Sequence, residues 1–459
     1  MQLPQAFIDS ISAYPLLAHL GEALLTEPEV SVRVNDAKLA GAFLSFEKFG
    51  VDPQQCQRVP WCAKGFYLPQ RPSFTADPRL HQGLYYVQDA SSMAVTAAID
   101  AIMAADATLA LKPLRYLDCC AAPGGKTTAA TSQLPVESLI VANEYDFKRA
   151  QILAENMAKW GSPVAMATRG DTARLQRLPA FFDVVAVDAP CSGEGMMRKD
   201  EKAREQWSRG LVESCASLQR SILENAYATL RPGGWLIYST CTFNRSENEE
   251  NVRWLADTFG MQSVCIPSLD ALEEVAGGID TDLHCYRFIP GRTRGEGLFL
   301  ALLRKTPGEA AQRCPMAKTP QDAQVPKEVR AWLRGKYAWR LIGSELYVWP
   351  AARAQEMATV VSALDAFMPG LHVATIKGKD CIPAHELALS TAINAEAFPH
   401  AEVTERQALA YLHRDAVSLP PDVPKGYVLI YYGSQPLGFV KNLGNRTNNL
   451  YPKNWRIRN

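Results

Sequence analysis

Arg115-Tyr116-Leu117-Asp118-Cys119-Cys120-Ala121-Ala122-Pro123-Gly124-Gly125-Lys126 is the stretch that decides how this chain folds. A short apolar strand reaches Asp118, two adjacent glycines turn the chain, and Thr127, Thr128, Ala129 and Ala130 read as the start of a helix. Glycines at a strand-to-helix turn let backbone N–H groups approach an anionic or polar ligand at the positive end of the helix dipole. Gly124-Gly125-Lys126-Thr127 also tempts a nucleoside triphosphate reading, but that loop needs a glycine five positions before Gly125, where this chain has Cys120.

Further strands follow at the spacing of a doubly wound sheet. Leu139–Glu144 ends on a carboxylate about twenty residues past the glycines, where such folds bind ribose hydroxyls. Asp146 reads as the cap of a helix whose apolar side includes Ala150, Leu153 and Met157, closed by Gly161. A third strand over 164–167 leads to Asp171, and a fourth over 182–187 ends at Asp188. One acid at a strand end is an ordinary cap or loop residue; acids recurring at successive strand ends point to a ligand crevice. A helix is predicted over 204–230, a strand ending at Cys241, and a helix from Glu247 onward. The β-like runs 286–290 and 297–304 are separated by six residues, too few for a parallel crossover, so the last strand should run antiparallel. The predicted fold is α/β, with the seven-stranded, Rossmann-like sheet and reversed last strand of class I S-adenosylmethionine-dependent methyltransferases.

Two thiols stand at strand ends fifty residues apart, in Asp188-Ala189-Pro190-Cys191 and Tyr238-Ser239-Thr240-Cys241. A cysteine is usually a small buried hydrophobe. At the carboxyl ends of parallel strands, however, both should open onto the same crevice as Asp188.

Asp118 to Lys126, Asp188-Ala189-Pro190-Cys191-Ser192-Gly193, and Ser239 to Thr242 with Glu247, Asn248 and Glu249 resemble the signature motifs of the NOL1/NOP2/Sun family of RNA cytosine-5 methyltransferases. Val32-Arg33-Val34-Asn35 and Tyr86-Val87-Gln88-Asp89-Ala90-Ser91-Ser92 resemble its N-terminal motifs, so the likeness spans about 30–305. The resemblance implies that Cys120, Ala121, Ala122, Pro123, Gly124, Gly125, Lys126, Glu144, Asp171 and Asp188 bind S-adenosylmethionine and that Cys241 is the nucleophile. Carbon 5 of cytosine is a poor nucleophile until a thiolate adds at carbon 6, and covalent catalysis then splits one hard step into two. Asp188 is placed to act as the acid at N3, and Cys191, or a water it positions, to remove the carbon 5 proton. On spacing alone the thiols could exchange roles; the resemblance assigns attack to Cys241. DNA cytosine-5 methyltransferases use a Pro-Cys nucleophile followed by Glu-Asn-Val, which Pro190-Cys191 and Glu250-Asn251-Val252 echo. Against them, Ser192 replaces the expected glutamine, and Thr240-Cys241 would be left unexplained.

The flanks suggest how RNA is held. Residues 1–90 read as a small α+β module ahead of a catalytic domain over 91–305, with 306–327 as a proline-bearing linker. A mixed module over 328–420 follows, its Trp332, Tyr337, Trp339, Tyr347 and Trp349 read as core in preference to base-stacking groups. Residues 421–459 hold six Lys or Arg against one acid in a chain of 48 basic and 48 acidic residues. Their hairpin around Gly433-Ser434 resembles the end of the PUA-like module of RsmF-type enzymes, its start left open as far back as about 385. That resemblance implies a target in small-subunit (16S) rRNA near the decoding centre, or in an assembly intermediate of that subunit. The alternatives are the same chemistry on tRNA, or an RNA-binding assembly factor without catalysis.

With 459 residues and 47% hydrophobic content, several packed domains are expected. Eleven cysteines without a short-spaced framework and no basic-then-apolar leader point to a reducing cytoplasm. No membrane span is expected, no metal is expected because seven histidines are scattered away from the cysteines, and a monomer is expected.

Overall fold

The computed structural model describes residues 2–39, 44–308 and 312–458. Residues 40–43 of the expected N-terminal module, 309–311 of the expected linker and the terminal Asn459 lie outside the described residues. At its centre is a ten-stranded sheet. Seven of its strands are β1 (Arg115–Asp118), β2 (Leu139–Glu144), β3 (Ala165–Arg169), β4 (Phe182–Asp188), β5 (Leu230–Thr240), β6 (Tyr286–Phe288) and β7 (Leu298–Arg304). They lie in the order β6-β7-β5-β4-β1-β2-β3. The pairs β1/β2, β2/β3, β1/β4 and β4/β5 are parallel, whereas β7 runs antiparallel to both β5 and β6. This is the expected methyltransferase sheet with its reversed last strand.

Alternation along the strands feeds two cores. Tyr116, Ile140, Val184 and Ile237 pack with α1 (Val95–Ala105), α2 (Gly125–Gln133) and α3 (Phe147–Trp160). Leu117, Val141, Val185 and Leu236 face Ile222, Leu223 and Ala226 of α4 (Arg209–Thr229) and Val252 and Leu255 of α5 (Glu249–Phe259). Burial on both faces is why these strands read as continuous apolar runs. The strand order turns back at β1, which lies between β2 and β4, and the crevice beyond the carboxyl ends of β1 and β4 is therefore the place for a ligand.

Two helices that the sequence predicts, over 4–22 and over 204–230, are interrupted. The helix expected over 204–230 is divided into Glu201–Gln206 and α4, because Trp207 is buried in an extended conformation and Ser208 starts a new helix by accepting from Leu211 N. The helical N-terminus becomes Gln5–Ser12, a 3-10 turn at Pro15–Leu17 and Leu20–Ala23, since proline carries no N–H for a continuous ladder.

A four-stranded antiparallel sheet in the order Gln57–Val59, Cys62–Leu68, Val30–Val34, Tyr85–Val87 builds the N-terminal module. Buried Arg33 fastens it to α2, donating to Thr128 Oγ1 at 2.6 Å and Gly125 O at 3.2 Å. Segment 306–326 has no regular secondary structure among its described residues, and Lys327, the last residue of the expected linker, begins the helix Lys327–Arg330; the segment is nonetheless laid against the chain beyond it, Ala317 N donating to Thr359 Oγ1 and Ala323 N to Trp339 O.

Strands Tyr337–Ile342, Glu345–Pro350, Leu371–Lys377 and Asp380–Pro383 form the next sheet, with Trp339 and Trp349 buried in packed cores. From the same region, Ala366–Met368 pairs antiparallel with β3 and covers that edge of the central sheet. The last sheet, His400–Glu402, Gly426–Tyr432, Gln435–Asn442 and Thr447–Asn449, contains the expected hairpin around Gly433-Ser434. Its first strand is at His400, well before residue 421, so the basic segment supplies three of the four strands of a sheet that begins ahead of it.

Candidate active site

The carboxyl ends of β1, β2, β4 and β5 surround a cleft of ≈ 760 Å³. Cys120, Glu144, Asp171, Asp188, Cys191 and Cys241 all line it. Ala121, Ala122, Pro123, Gly124 and Gly125 do not; they form the turn behind its wall. Gly124 caps α2 with φ 106°, a left-handed conformation that glycine adopts without strain, and its N–H donates to Ala121 O. Lys126 also lies off the lining, but its Nζ reaches Asp188 Oδ2 at 2.9 Å. The resemblance grouped Lys126 with the cofactor residues, and its ammonium sits on Asp188, another of that group, beside the thiols.

One end of the cleft is a ring of acceptors. Glu144 is buried, its Oε1 accepts from Asp146 N, and Arg149 stands 3.8 Å from its other oxygen. Asp171 caps the turn after β3 by accepting from Ala173 N. Behind them, buried Asp118 accepts from Thr127 Oγ1 at 2.7 Å while its Oδ1 has no partner among the described residues; burial pushes its carboxyl up to about 7.

At the other end are the thiols. Cys191 Sγ lies 3.0 Å from Cys241 Sγ, and both cysteines are free. The hydrogen bond to Cys241, reinforced by burial, holds the Cys191 thiol well above the ordinary range. Asp188 accepts from Ser239 Oγ at 2.8 Å. Burial works to lower Lys126, but the adjoining Asp188 carboxylate outweighs it and the lysine is held above its usual range. Tyr145, Met196 and Leu218, each substantially exposed, form an apolar lip that sequence reading did not single out. An exposed aromatic directly after Glu144 was the available signal.

Comparison with known proteins decides what this cleft belongs to. Residues 108–304 match the family described as 16S rRNA methyltransferase RsmB/F, 3–90 the N-terminal domain of 16S rRNA methyltransferase RsmF, and 398–457 the methyltransferase RsmF PUA domain. The chain is 33% identical to the ribosomal RNA small subunit methyltransferase F of Cronobacter sakazakii, over 98% of this chain and 96% of that one. The chain belongs to the RsmF family. Its counterpart in Shewanella loihica is 31% identical over 99% and 95% of the two chains. Among solved structures, a methyltransferase homolog protein from Pyrococcus horikoshii is 27% identical with a TM-score of 0.52, covering 66% of this chain and 95% of that chain. NSun6 from Pyrococcus horikoshii has the same TM-score at 20% identity, over 66% and 98%, and shares the fold.

RsmF family membership makes the protein an S-adenosylmethionine-dependent rRNA methyltransferase. The cleft fits that cofactor on its own chemistry. Glu144 and Asp171 offer acceptors to ribose hydroxyls, and the carboxylates around the cavity, including Asp188, favour a sulfonium cation and disfavour a polyphosphate. If Glu144 holds the ribose, Glu144→Ala should weaken S-adenosylmethionine binding by about 1.5–3 kcal/mol, the scale of a charge-assisted hydrogen bond. Titration calorimetry on a variant with unchanged melting measures this, and equal affinity would make Glu144 merely a support for the turn at Asp146.

Proposed function

We propose that the protein methylates carbon 5 of a cytosine in 16S rRNA near the decoding centre, through a covalent bond between Cys241 and carbon 6. The observation that carries this reading is the thiol pair, 3.0 Å apart, on the cleft beside Asp188. A single thiol suffices for nucleophilic attack; two on one substrate pocket suit addition followed by release.

When bound, S-adenosylmethionine supplies an electrophilic methyl group. Cys241 adds to carbon 6, and the electron pair displaced toward carbon 5 makes that carbon nucleophilic. Either sulfur can be the donor in their contact; with the Cys191 thiol as the donor, Cys241 is the sulfur with electron density to give. Asp188, with the Lys126 ammonium at 2.9 Å, places an acid–base pair for the charge that develops at N3. Once carbon 5 is methylated, a water positioned by the Cys191 thiol accepts the carbon 5 proton and passes it to solvent, and the electron pair left behind re-forms the carbon 5–carbon 6 double bond as the Cys241–carbon 6 bond breaks to return the thiolate.

The final module supports an RNA partner. Lys453, Arg456 and Arg458, with His413, ring a crevice at its surface, where phosphates would be met by guanidinium and ammonium groups. We read 1–90 and the module beginning near 398 as RNA-holding parts flanking the catalytic domain. Bisulfite mapping of total RNA from cells with and without the gene tests the whole reading. One 16S rRNA cytosine should lose its methyl group in the deletion; loss confined to tRNA, or no loss at all, would overturn it.

A further inference from the structure

The two cysteine loops are held by an exchange of carboxylates. Glu194 lies on the loop of Cys191, yet its Oε2 accepts from Phe243 N at 2.6 Å and Asn244 N at 3.1 Å, both on the loop of Cys241. Glu247 follows Cys241, yet its Oε2 accepts from Ser192 N at 3.0 Å, next to Cys191, and from Gln219 Nε2 at 2.7 Å. Asn244 Nδ2 joins the two, donating to Glu247 Oε1 at 2.7 Å and Glu194 Oε1 at 3.1 Å. Trp207 Nε1 completes the set on Glu194 at 3.1 Å. Both carboxylates are buried, at 1% and 0% exposure.

Every partner of Glu194 and Glu247 among these is a donor, so only an ionised carboxylate satisfies the arrangement; a glutamine would turn an N–H toward an N–H. Charge-assisted bonds are shorter and stronger than neutral ones, and their lengths here fix backbone atoms within three residues of each thiol. The loops also touch directly, with Gly195 N donating to Cys241 O at 2.8 Å. A Cβ at position 195 would stand 2.7 Å from that oxygen, so only glycine allows the approach.

We propose that Glu194 and Glu247 are positioning residues that act on opposite halves of the reaction, Glu194 fixing Cys241 for attack and Glu247 fixing Cys191 for release. This rests on the thiol roles proposed above. A misplacement of one ångström is enough to slow a positioned step by about 100-fold. Loosening the Cys241 loop therefore slows adduct formation, and loosening the Cys191 loop slows adduct breakdown.

The test uses the full chain, S-adenosylmethionine and small ribosomal subunits from cells lacking the gene, with single-turnover methyl transfer and denaturant-resistant protein–RNA adduct read together. Glu194→Gln should slow transfer by about 30- to 100-fold and accumulate no adduct, whereas Glu247→Gln should transfer a methyl group, turn over about 30-fold more slowly and accumulate adduct. Trp207→Phe and Gln219→Met, which each remove one donor from one carboxylate, should give the same opposed pattern at about 3- to 10-fold. They decide the matter if either glutamine variant does not fold. Equal losses of transfer without adduct in both members of a pair would make the carboxylates purely structural and overturn the inference. Absence of adduct from Cys191→Ser under the same conditions would instead overturn the thiol roles, and the inference with them.

Discussion

Cys241→Ser should lower methyl transfer by on the order of 1,000-fold or more, since a hydroxyl at neutral pH is a far weaker nucleophile than a thiol. Cys191→Ser should behave differently. Attack and transfer need only Cys241, so this variant adds to its target, accepts the methyl group and stalls before release. It should migrate as a denaturant-resistant protein–RNA adduct, formed only with cofactor and target RNA together and abolished in the double variant. The 3.0 Å contact sharpens the contrast, because a serine at 191 can take either role in a hydrogen bond with Cys241 and leave the nucleophile in place. An adduct from Cys241→Ser and none from Cys191→Ser would exchange the two roles.

A large effect of another kind is expected beneath the Cys241 loop. Arg287 on β6 and Glu249 on α5 form a fully buried pair, with Arg287 Nε 2.7 Å from Glu249 Oε1, and Arg287 Nη1 also donates to Phe243 O at 2.7 Å. Arg287→Met leaves the carboxylate buried without its cation, at a cost of about 3–5 kcal/mol. Arg287→Met/Glu249→Leu should be less destabilised than Arg287→Met alone, because the uncompensated charge is gone, although Ile279 N then loses its acceptor. Denaturant titration of both variants measures this. A double variant no more stable than the single one would show that the loop needs the pair for its geometry.

The sequence carried the site wherever chemistry is tied to a strand end. Glu144, Asp171, Asp188, Cys191 and Cys241 were readable because each terminates or directly follows an apolar run, and parallel strands bring such ends to one side. The Glu194 and Glu247 exchange was not readable, since a buried carboxylate in a loop has no local pattern; the main-chain N–H groups it accepts from lie about fifty residues away and meet it only when β4 and β5 pair. The contact of Lys126 with Asp188 was unreadable for a related reason. The glycine turn says where the backbone goes, but a long side chain on the first turn of α2 is free to cross to Asp188. Trp207 likewise interrupts a helix-forming stretch because its indole is recruited by Glu194, a tertiary bond that outweighs local propensity.

The edge strand Ala366–Met368 has a consequence for how the protein is made. β3 is an edge of the parallel sheet until residue 366 exists, and its unpaired N–H and C=O groups are a template for any other strand. Sixty-four residues separate Arg304, where β7 ends, from Met368, so at 5–20 residues per second a nascent chain spends on the order of 3–13 s with its sheet synthesised and that edge bare. A fragment cut near residue 305 to isolate the catalytic domain would remain in that state permanently, its Ala165–Arg169 edge open to a second copy.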